Sequence, residues 1–447
     1  MDRPPHAARG GAVIHRARLL DFLREPVDHA DLAACRFEED GALLVEAGRI
    51  LARGPFDRIR RAHPDLPVED HRPRLLLPGF IDTHIHYPQM QVIASWGTEL
   101  LDWLQRYTFP EECRFADPAH AARIAAAFFD ETLRHGTTTT VAFCTSHPES
   151  VEAFFAEAER RGVRALGGKV LMDRGAPAAL LDSPERAWEE SRALIERWHG
   201  RGRLGYVVTP RFALTSTPEE LDVAAELMKL RDDLWLQTHL AENHAEIATA
   251  RKLFPETADY FAIYERHGLA GPRALFGHCL HLSERERRAM AETGSVAVFC
   301  PTSNLFLGSG LYDNERLKAA GVRRAIATDV GGGTSFSLLA TLDEGYKVLA
   351  LRGQRLSPLA AFWWITRGNA EALGLSGQIG TLEPGSEADF VLLDARATEL
   401  MALRMERVES LAEELFVLQT LGDERCITAT FVGGERVRPA PGRAADR

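Results

Sequence analysis

The sequence predicts an α/β protein: a (β/α)8 barrel carrying a small β-sandwich built from both ends of the chain. From about residue 75 onward, eight short apolar or β-branched runs alternate with helical patterns, the mark of repeated β/α units and a parallel sheet. The polar residues able to do chemistry gather at the C-terminal ends of those runs, where barrels of this kind place their active sites. Before residue 75 and after residue 375 the alternation gives way to short turn-rich segments of β character.

The eight runs are Leu75 to His86, Thr137 to His147, Arg164 to Asp173, Leu204 to Leu214, Leu234 to Glu242, Ala274 to Ser283, Ser295 to Asn304 and Val322 to Gly331. Between them, Pro118 to His135 and Ser183 to Trp198 repeat apolar residues at three and four spacing, which predicts amphipathic helices. Thr217-Pro-Glu-Glu220 has a hydroxyl cap, proline at the first helical position and an acid at the third, so a helix starts there. Leu356 to Leu373 reads as a further helix covering the barrel. Gly41 to Glu46 at one end, and Gly380 to Asp394 and Thr428 to Gly434 at the other, read as strands of one composite layer that neither end can make alone. The expected division is 1–74 and 376–447 for the two parts of the sandwich and 75–375 for the barrel.

With 447 residues, 45% hydrophobic and 26% charged, the chain is long enough for a large core and a second domain. A net charge of −11 without clustered Lys and Arg excludes a surface that binds nucleic acid through phosphates. The six cysteines form no C-x-x-C pair, which suits a reducing compartment, and cytoplasm is the expected location. No apolar run reaches the roughly 18 residues of a membrane span, so no membrane partner is expected.

The first run ends in His84-Ile-His86, two imidazoles that share one face of a strand and suit a metal at the barrel rim. The fifth run ends in His239-Leu-Ala-Glu242, the sixth in His278 and the eighth in Asp329-Val330, followed by three glycines. Singly, His239 and His278 read equally well as core histidines, Asp329 as a helix cap and Glu242 as a solvent-facing acid. Together, the four histidines and Asp329 fall at C-terminal strand ends and converge on one rim.

At this point the chain resembles the amidohydrolase superfamily, whose first strand carries the H-x-H pair and whose fifth, sixth and eighth strands supply His, His and Asp. The blocks Thr83 to Gln89, Tyr107 to Glu111, Thr209 to Ala213, His239 to Asn243 and Pro301 to Gly310 are similar to the guanine deaminase family within it. The resemblance implies one metal, Zn2+ with Fe2+ also suited, held by His84, His86, His239 and Asp329, while His278 orients water or substrate. Three imidazoles and a carboxylate leave a position for water, whose pKa a bound divalent ion lowers from 15.7 towards about 7.

The resemblance further implies Glu242 as proton shuttle and Asp329 as a ligand that also accepts a proton. It implies substrate contacts at His86, Gln89, Arg211, Phe212, His239, Glu242 and Asp329. On chemistry alone, an arginine fork donates to a purine O6 and an aromatic ring stacks on the base, but Arg211 in a rim salt bridge and Phe212 in core packing fit as well. Gln89 offers both a donor and an acceptor. The implied reaction is guanine plus water to xanthine plus ammonia, in a homodimer. A sibling deaminase acting on 8-oxoguanine, cytosine, adenosine or a triazine, or an inactive barrel serving as a binding protein, are the alternative readings.

Trp103 and Tyr107 are expected either to close over the site or to pack a helix face, and Cys300 and Asn304 either to approach the substrate or to stay structural. His135, His147, His199, His267 and His281 read as structural or exposed. Lys169 lies inside the third run rather than the fourth, which favours a mononuclear site over a lysine-bridged pair of metals.

Overall fold

In the N-terminal segment the chain pairs with itself before any helix of the barrel begins. Its strands are β1 (Val13–Phe22), β2 (Cys35–Glu46), β3 (Arg49–Pro55) and β4 (Val68–Pro78). The structure, a computed structural model, describes residues 11–97 and 99–437, so the outermost parts of the expected sandwich, 1–10 and 438–447, lie outside the described residues. Strand β1 runs antiparallel to β2 and parallel to β4. The β2–β3 hairpin turns through Ala47 and Gly48 at φ 51° and 77°, the backbone a two-residue turn of this hand requires.

The barrel follows as β5 (Phe80–His86), β6 (Thr137–Phe143), β7 (Arg164–Gly168), β8 (Val170–Leu171), β9 (Leu204–Pro210), β10 (Trp235–Leu240), β11 (Ala274–His278), β12 (Val296–Phe299) and β13 (Arg323–Ile326). The parallel order is β13-β12-β11-β10-β9-β7-β6-β5, with the two-residue β8 beside β9. Strands β5, β6, β7 and β9 are buried throughout, as expected where helices cover one face and the barrel interior the other.

Each of these eight long strands contributes to one interior cluster: Ile81, Val141, Leu166, Val207, Trp235, Leu275, Val296 and Ala325. Ala370 and Leu373, from the helical segment after Pro358, belong to the same cluster and plug the barrel base. Cutting one of its buried Leu or Ile side chains to alanine costs about 2–5 kcal/mol by the cavity it leaves.

First and last strands meet through side chains as well as backbone. The Asn369 amide donates to Ile81 O at 2.7 Å and Ile326 O at 2.8 Å, while its oxygen accepts from Ile326 N at 3.0 Å. Asp82 accepts from Thr328 through both backbone and hydroxyl, at 3.2 and 2.5 Å.

After the barrel the chain returns to the first sheet as β14 (Phe390–Leu393), β15 (Ile427–Val432) and β16 (Glu435–Arg436). The order β16-β15-β14-β4-β1-β2-β3 joins both ends of the chain, as expected. Ala17, Leu43, Ile50, Leu76, Phe390 and Phe431, from six of these strands, enclose one small core. The expected helices also stand: Pro118–Arg134 is capped by Asp117, Pro184–Trp198 by Ser183 and Pro218–Met228 by Thr217. Among the described residues no helix is long and apolar enough to cross a membrane.

Candidate active site and metal centre

The apolar interior of the barrel changes to imidazole and carboxylate at its C-terminal rim. Period-two alternation puts His84 and His86 on the same side of β5, with Ile85 between them facing away. His239 is on β10, His278 ends β11 and Asp329 follows β13, and all but the partly buried His239 are nearly inaccessible. Asp329 Oδ1 is 3.4 Å from His84 Nε2 and 3.3 Å from His86 Nε2, and His86 Nε2 is 3.2 Å from His239 Nε2. The sequence-predicted ligands are thus brought together. A Cβ on Gly277 would stand 2.6 Å from His84 Cε1, so the glycine before His278 makes room for this ring.

Backbone strain concentrates here. Ala241, His278, Cys279 and Asp329 adopt φ of 52°, 70°, 54° and 52°, a left-handed conformation that costs a non-glycine residue on the order of 1–3 kcal/mol and persists where surrounding packing imposes it.

Hydrogen bonds fix which ring nitrogens face the centre. Arg211 O accepts from His239 Nδ1 at 2.7 Å, which leaves the Nε2 lone pair of the neutral ring pointing inward, the outer-shell arrangement usual for a metal-binding histidine. Asn304 Nδ2 donates to His278 Nδ1 at 2.9 Å, so the His278 proton sits on Nε2, 3.3 Å from Glu242 Oε2 and 3.8 Å from Asp329 Oδ2. Burial holds His86 at about 4 and His278 at about 3, and His239 well below its ordinary value, so all three rings are neutral at pH 7. Burial opposes ionisation of Asp329, yet the His84 and His86 imidazoles facing its Oδ1 at 3.4 and 3.3 Å outweigh it and hold this carboxyl well below the usual range.

Both ring nitrogens of His84 and Nδ1 of His86 are buried without a hydrogen-bond partner. Ligand atoms of His84, His86 and His239 all lie within 4.8 Å of one another. Orphaned imidazole nitrogens beside an ionised carboxylate fit a divalent cation, and the N,O donor set suits Zn2+ or Fe2+. Cys300 Sγ also lies within such reach of His84 and Asp329, while its thiol donates to Val298 O at 3.7 Å.

Glu242 sits in the turn between β10 and the helix His244–Leu253, whose start is set by a reciprocal capping box of Asn243 and Glu246. Its carboxyl accepts from the Ser309 hydroxyl at 2.8 Å. Burial, then the charges of Glu246 and Asp329, push it well above the ordinary carboxyl value, which suits a group that must both take and give a proton.

Gln89, Arg211 and Phe212 line the same cavity as His86, His239, Glu242, His278 and Asp329. Trp103 also lines it, with its indole N–H donated to Ser95 O at 3.0 Å, whereas Tyr107 stands outside that wall. Lys169 is buried in ion pairs with Asp182 and Glu190, away from the histidines. Sequence reasoning missed Glu112 and Ser309. Glu112 directly follows the Tyr107 to Glu111 block, and Ser309 lies inside the Pro301 to Gly310 block, so position beside a matched block was the available signal.

The cavity measures about 30 Å³, room for water-sized occupants between these side chains. Leu100, Leu104 and Leu307 give the cavity its apolar wall. A larger cavity of about 650 Å³ on the outside of the barrel is lined by Tyr346, Trp363, Trp364 and Phe416 and holds none of the site histidines.

The amidohydrolase family pattern matches residues 75–437, the barrel and the strands that return to the first sheet. The chain belongs to the amidohydrolase family. A bacterial imidazolonepropionase-like composite domain matches residues 41–65. The guanine deaminase of Escherichia coli K12 is 45% identical over 424 residues, 94% of this chain and 97% of that protein. A probable guanine deaminase of Deinococcus radiodurans is 43% identical over 429 residues, with the same shares covered. Among solved structures, E. coli guanine deaminase superposes with a TM-score of 0.91 at 44% identity, over 96% of this chain and 100% of that one. Guanine deaminase from Bradyrhizobium japonicum gives 0.93 at 37%, with the same coverage. The enzyme from C. acetobutylicum, described with guanine bound in its active site, gives 0.86 at 25%, again with 96% and 100% covered. Within the amidohydrolases this chain stands with the guanine deaminases.

Proposed function

We propose that this amidohydrolase deaminates guanine, consuming water and releasing xanthine and ammonia. The observation that carries the reading is that one cavity holds a proton-transfer carboxyl, Glu242, with three residues suited to a purine, Gln89, Arg211 and Phe212. The guanine deaminases that match nearly the whole chain support the choice of ring.

His84, His86, His239 and Asp329 are the ligands of one divalent ion, Zn2+ or Fe2+. When bound, it supplies Lewis-acid activation of a water molecule. Glu242 takes a proton from the attacking water and delivers it to N3 beside the attacked C2, then assists departure of ammonia. Asp329 takes the remaining proton from the new C2 hydroxyl, and that proton passes to the amino group, which leaves as ammonia; His278 Nε2–H, aimed between Glu242 and Asp329, orients the water. Phe212 stacks on the ring and Arg211 donates to O6. The proposal extends to Zn2+ as the resident ion, a role in purine catabolism and a cytoplasmic homodimer. All six cysteines are free, five of them buried, which suits a reducing compartment.

Ammonia release and the guanine-to-xanthine absorbance change, measured on metal-loaded protein, test the reading. Protein that is replete with metal yet silent on guanine overturns it.

A further inference from the structure

The two residues assigned to the purine edge share a single carboxylate. Arg211 Nη1 donates to both oxygens of Glu112, at 3.0 and 2.8 Å, and Gln89 Nε2 donates to Oε1 at 3.1 Å. Gln89 Oε1 accepts from Gly331 N at 3.3 Å. The Phe109 ring supports the guanidinium from 5.3 Å. Glu112 is fully buried, and Arg211 and Gln89 are 2% exposed. Both of these line the active-site cavity and Glu112 does not, so the carboxylate stands behind them.

This arrangement removes the ambiguity of the Gln89 amide. A carboxylate only accepts and a backbone N–H only donates, so Gln89 must turn its nitrogen to Glu112 and its oxygen to Gly331. What remains for a ligand is an amide N–H from Gln89 and the uncommitted N–H groups of the Arg211 fork, donors in both cases. A wall made of donors pairs with ring acceptors and leaves an exocyclic amino group unsatisfied, which in a buried site is the costly mismatch.

We propose that Glu112 is a positioning residue that sets substrate specificity: by orienting Arg211 and Gln89 together it selects a purine bearing an oxo group at C6 over one bearing an amino group. The proposal rests on guanine deamination as the reaction. Glu112 contacts no reacting atom and acts through its two partners.

Glu112→Gln keeps the volume and removes the charge. The expected result is a rise in KM for guanine of about 10-fold or more with kcat changed far less, since contacts to the substrate edge act on binding. In parallel, the preference of the free site for hypoxanthine (6-oxo) over adenine (6-amino), read as a ratio of inhibition constants, falls by a similar factor. Glu112→Asp, which restores a carboxylate at shorter reach, recovers part of both. A folded Glu112→Gln enzyme with wild-type KM and an unchanged hypoxanthine-to-adenine ratio overturns the proposal, as does a loss confined to kcat or to melting temperature. Should Glu112→Gln fail to fold, Gln89→Leu, which leaves the Arg211–Glu112 pair in place, must shift KM and the ratio in the same direction, and its failure to do so also overturns it. Wild-type enzyme inactive on guanine sinks the substrate reading instead, a result separate from either variant.

Discussion

The Ser309 hydroxyl donates to Glu242 Oε1 at 2.8 Å while Oε2 of the same carboxyl lies 3.3 Å from His278 Nε2. Both oxygens therefore face a neighbour, one on the loop after β12 and one at the end of β11, which aims the carboxyl into the cavity. Glu242→Gln preserves this shape and removes the group proposed as proton shuttle. Turnover is expected to fall by at least the roughly 10² to 10⁴ that a positioned acid–base group contributes, with metal content unchanged by elemental analysis. Ser309→Ala should lose much less, because Glu242 stays buried and near His278. A Glu242→Gln enzyme as fast as wild type would remove Glu242 from the mechanism.

His84 and Asp329 lie 3.4 Å apart with no hydrogen-bond partner for either His84 ring nitrogen, a costly arrangement unless a cation occupies the space they share. Dialysis against a chelator should abolish activity, and Zn2+ or Fe2+ should restore it. Melting temperature should rise with added metal, since occupancy at 100 times Kd contributes about 2.7 kcal/mol of stability. Full activity in protein with no metal detectable by elemental analysis contradicts the assignment of these ligands.

Much of this site was legible in the sequence because parallel barrels impose a simple geometry: whatever ends a strand at its C-terminal side faces the common rim. His84, His86, His239, His278 and Asp329 are all so placed, and their polarity at the end of apolar runs gives them away. Glu112 was not legible in this way. It lies on a short helical turn, Phe109–Glu112, and reaches Arg211 across 99 residues of sequence, a pairing that no local pattern encodes. Asn304 shows the same limit from another side: its position near the seventh strand fitted either approach to the substrate or a structural role, and its Nδ2 donates to His278 Nδ1. The His15–His71 contact, between strands that are neighbours only after the first sheet forms, was equally invisible.

That contact predicts acid sensitivity. His15 Nδ1 and His71 Nε2 are 3.1 Å apart, with ring centroids at 5.4 Å and planes within 11°, so the two nitrogens face each other in line as one hydrogen bond between neutral rings. Burial, then the neighbouring His71, lowers His15 to about 3; burial, then Arg436 and Arg74, lowers His71 to about 4 against the opposing charge of Asp70. Glu69 approaches both nitrogens, at 3.5 and 3.6 Å. Unfolded histidines take up protons near pH 6.5 and the folded pair does not, so acid favours the unfolded chain. Stability is intact above about pH 6.5 and declines as pH falls towards 4, by roughly 1 kcal/mol per pH unit for each histidine concerned. Thermal melts from pH 7.5 to 4 should show a shallower decline in His15→Val/His71→Phe than in wild type. Superimposable profiles would show that the pair does not set the acid limb.

Asn369 carries the last prediction because it joins the seam of the barrel to the site. Its amide spans Ile81 and Ile326, just below the place where Asp329 N donates to His84 O at 2.9 Å and His86 N donates to Val330 O at 2.6 Å. Asn369→Ala takes the partner from Ile81 O and Ile326 N and leaves Ile326 O with the Thr83 hydroxyl alone, at 3.2 Å; a buried group left unpaired costs about 1–3 kcal/mol where water cannot enter. A large loss of melting temperature follows. Since His84, His86 and Asp329 hang on the two strands this amide ties together, slackening the seam should also weaken metal retention, measured as faster loss of metal to a competing chelator at a temperature where the variant remains folded. Asn369→Asp keeps an acceptor for Ile326 N but lacks the amide donors, and should fall on the same side. A variant that melts early yet holds metal as tightly as wild type would separate the seam from the site, and place the rigidity of the ligand set in the strand ends themselves.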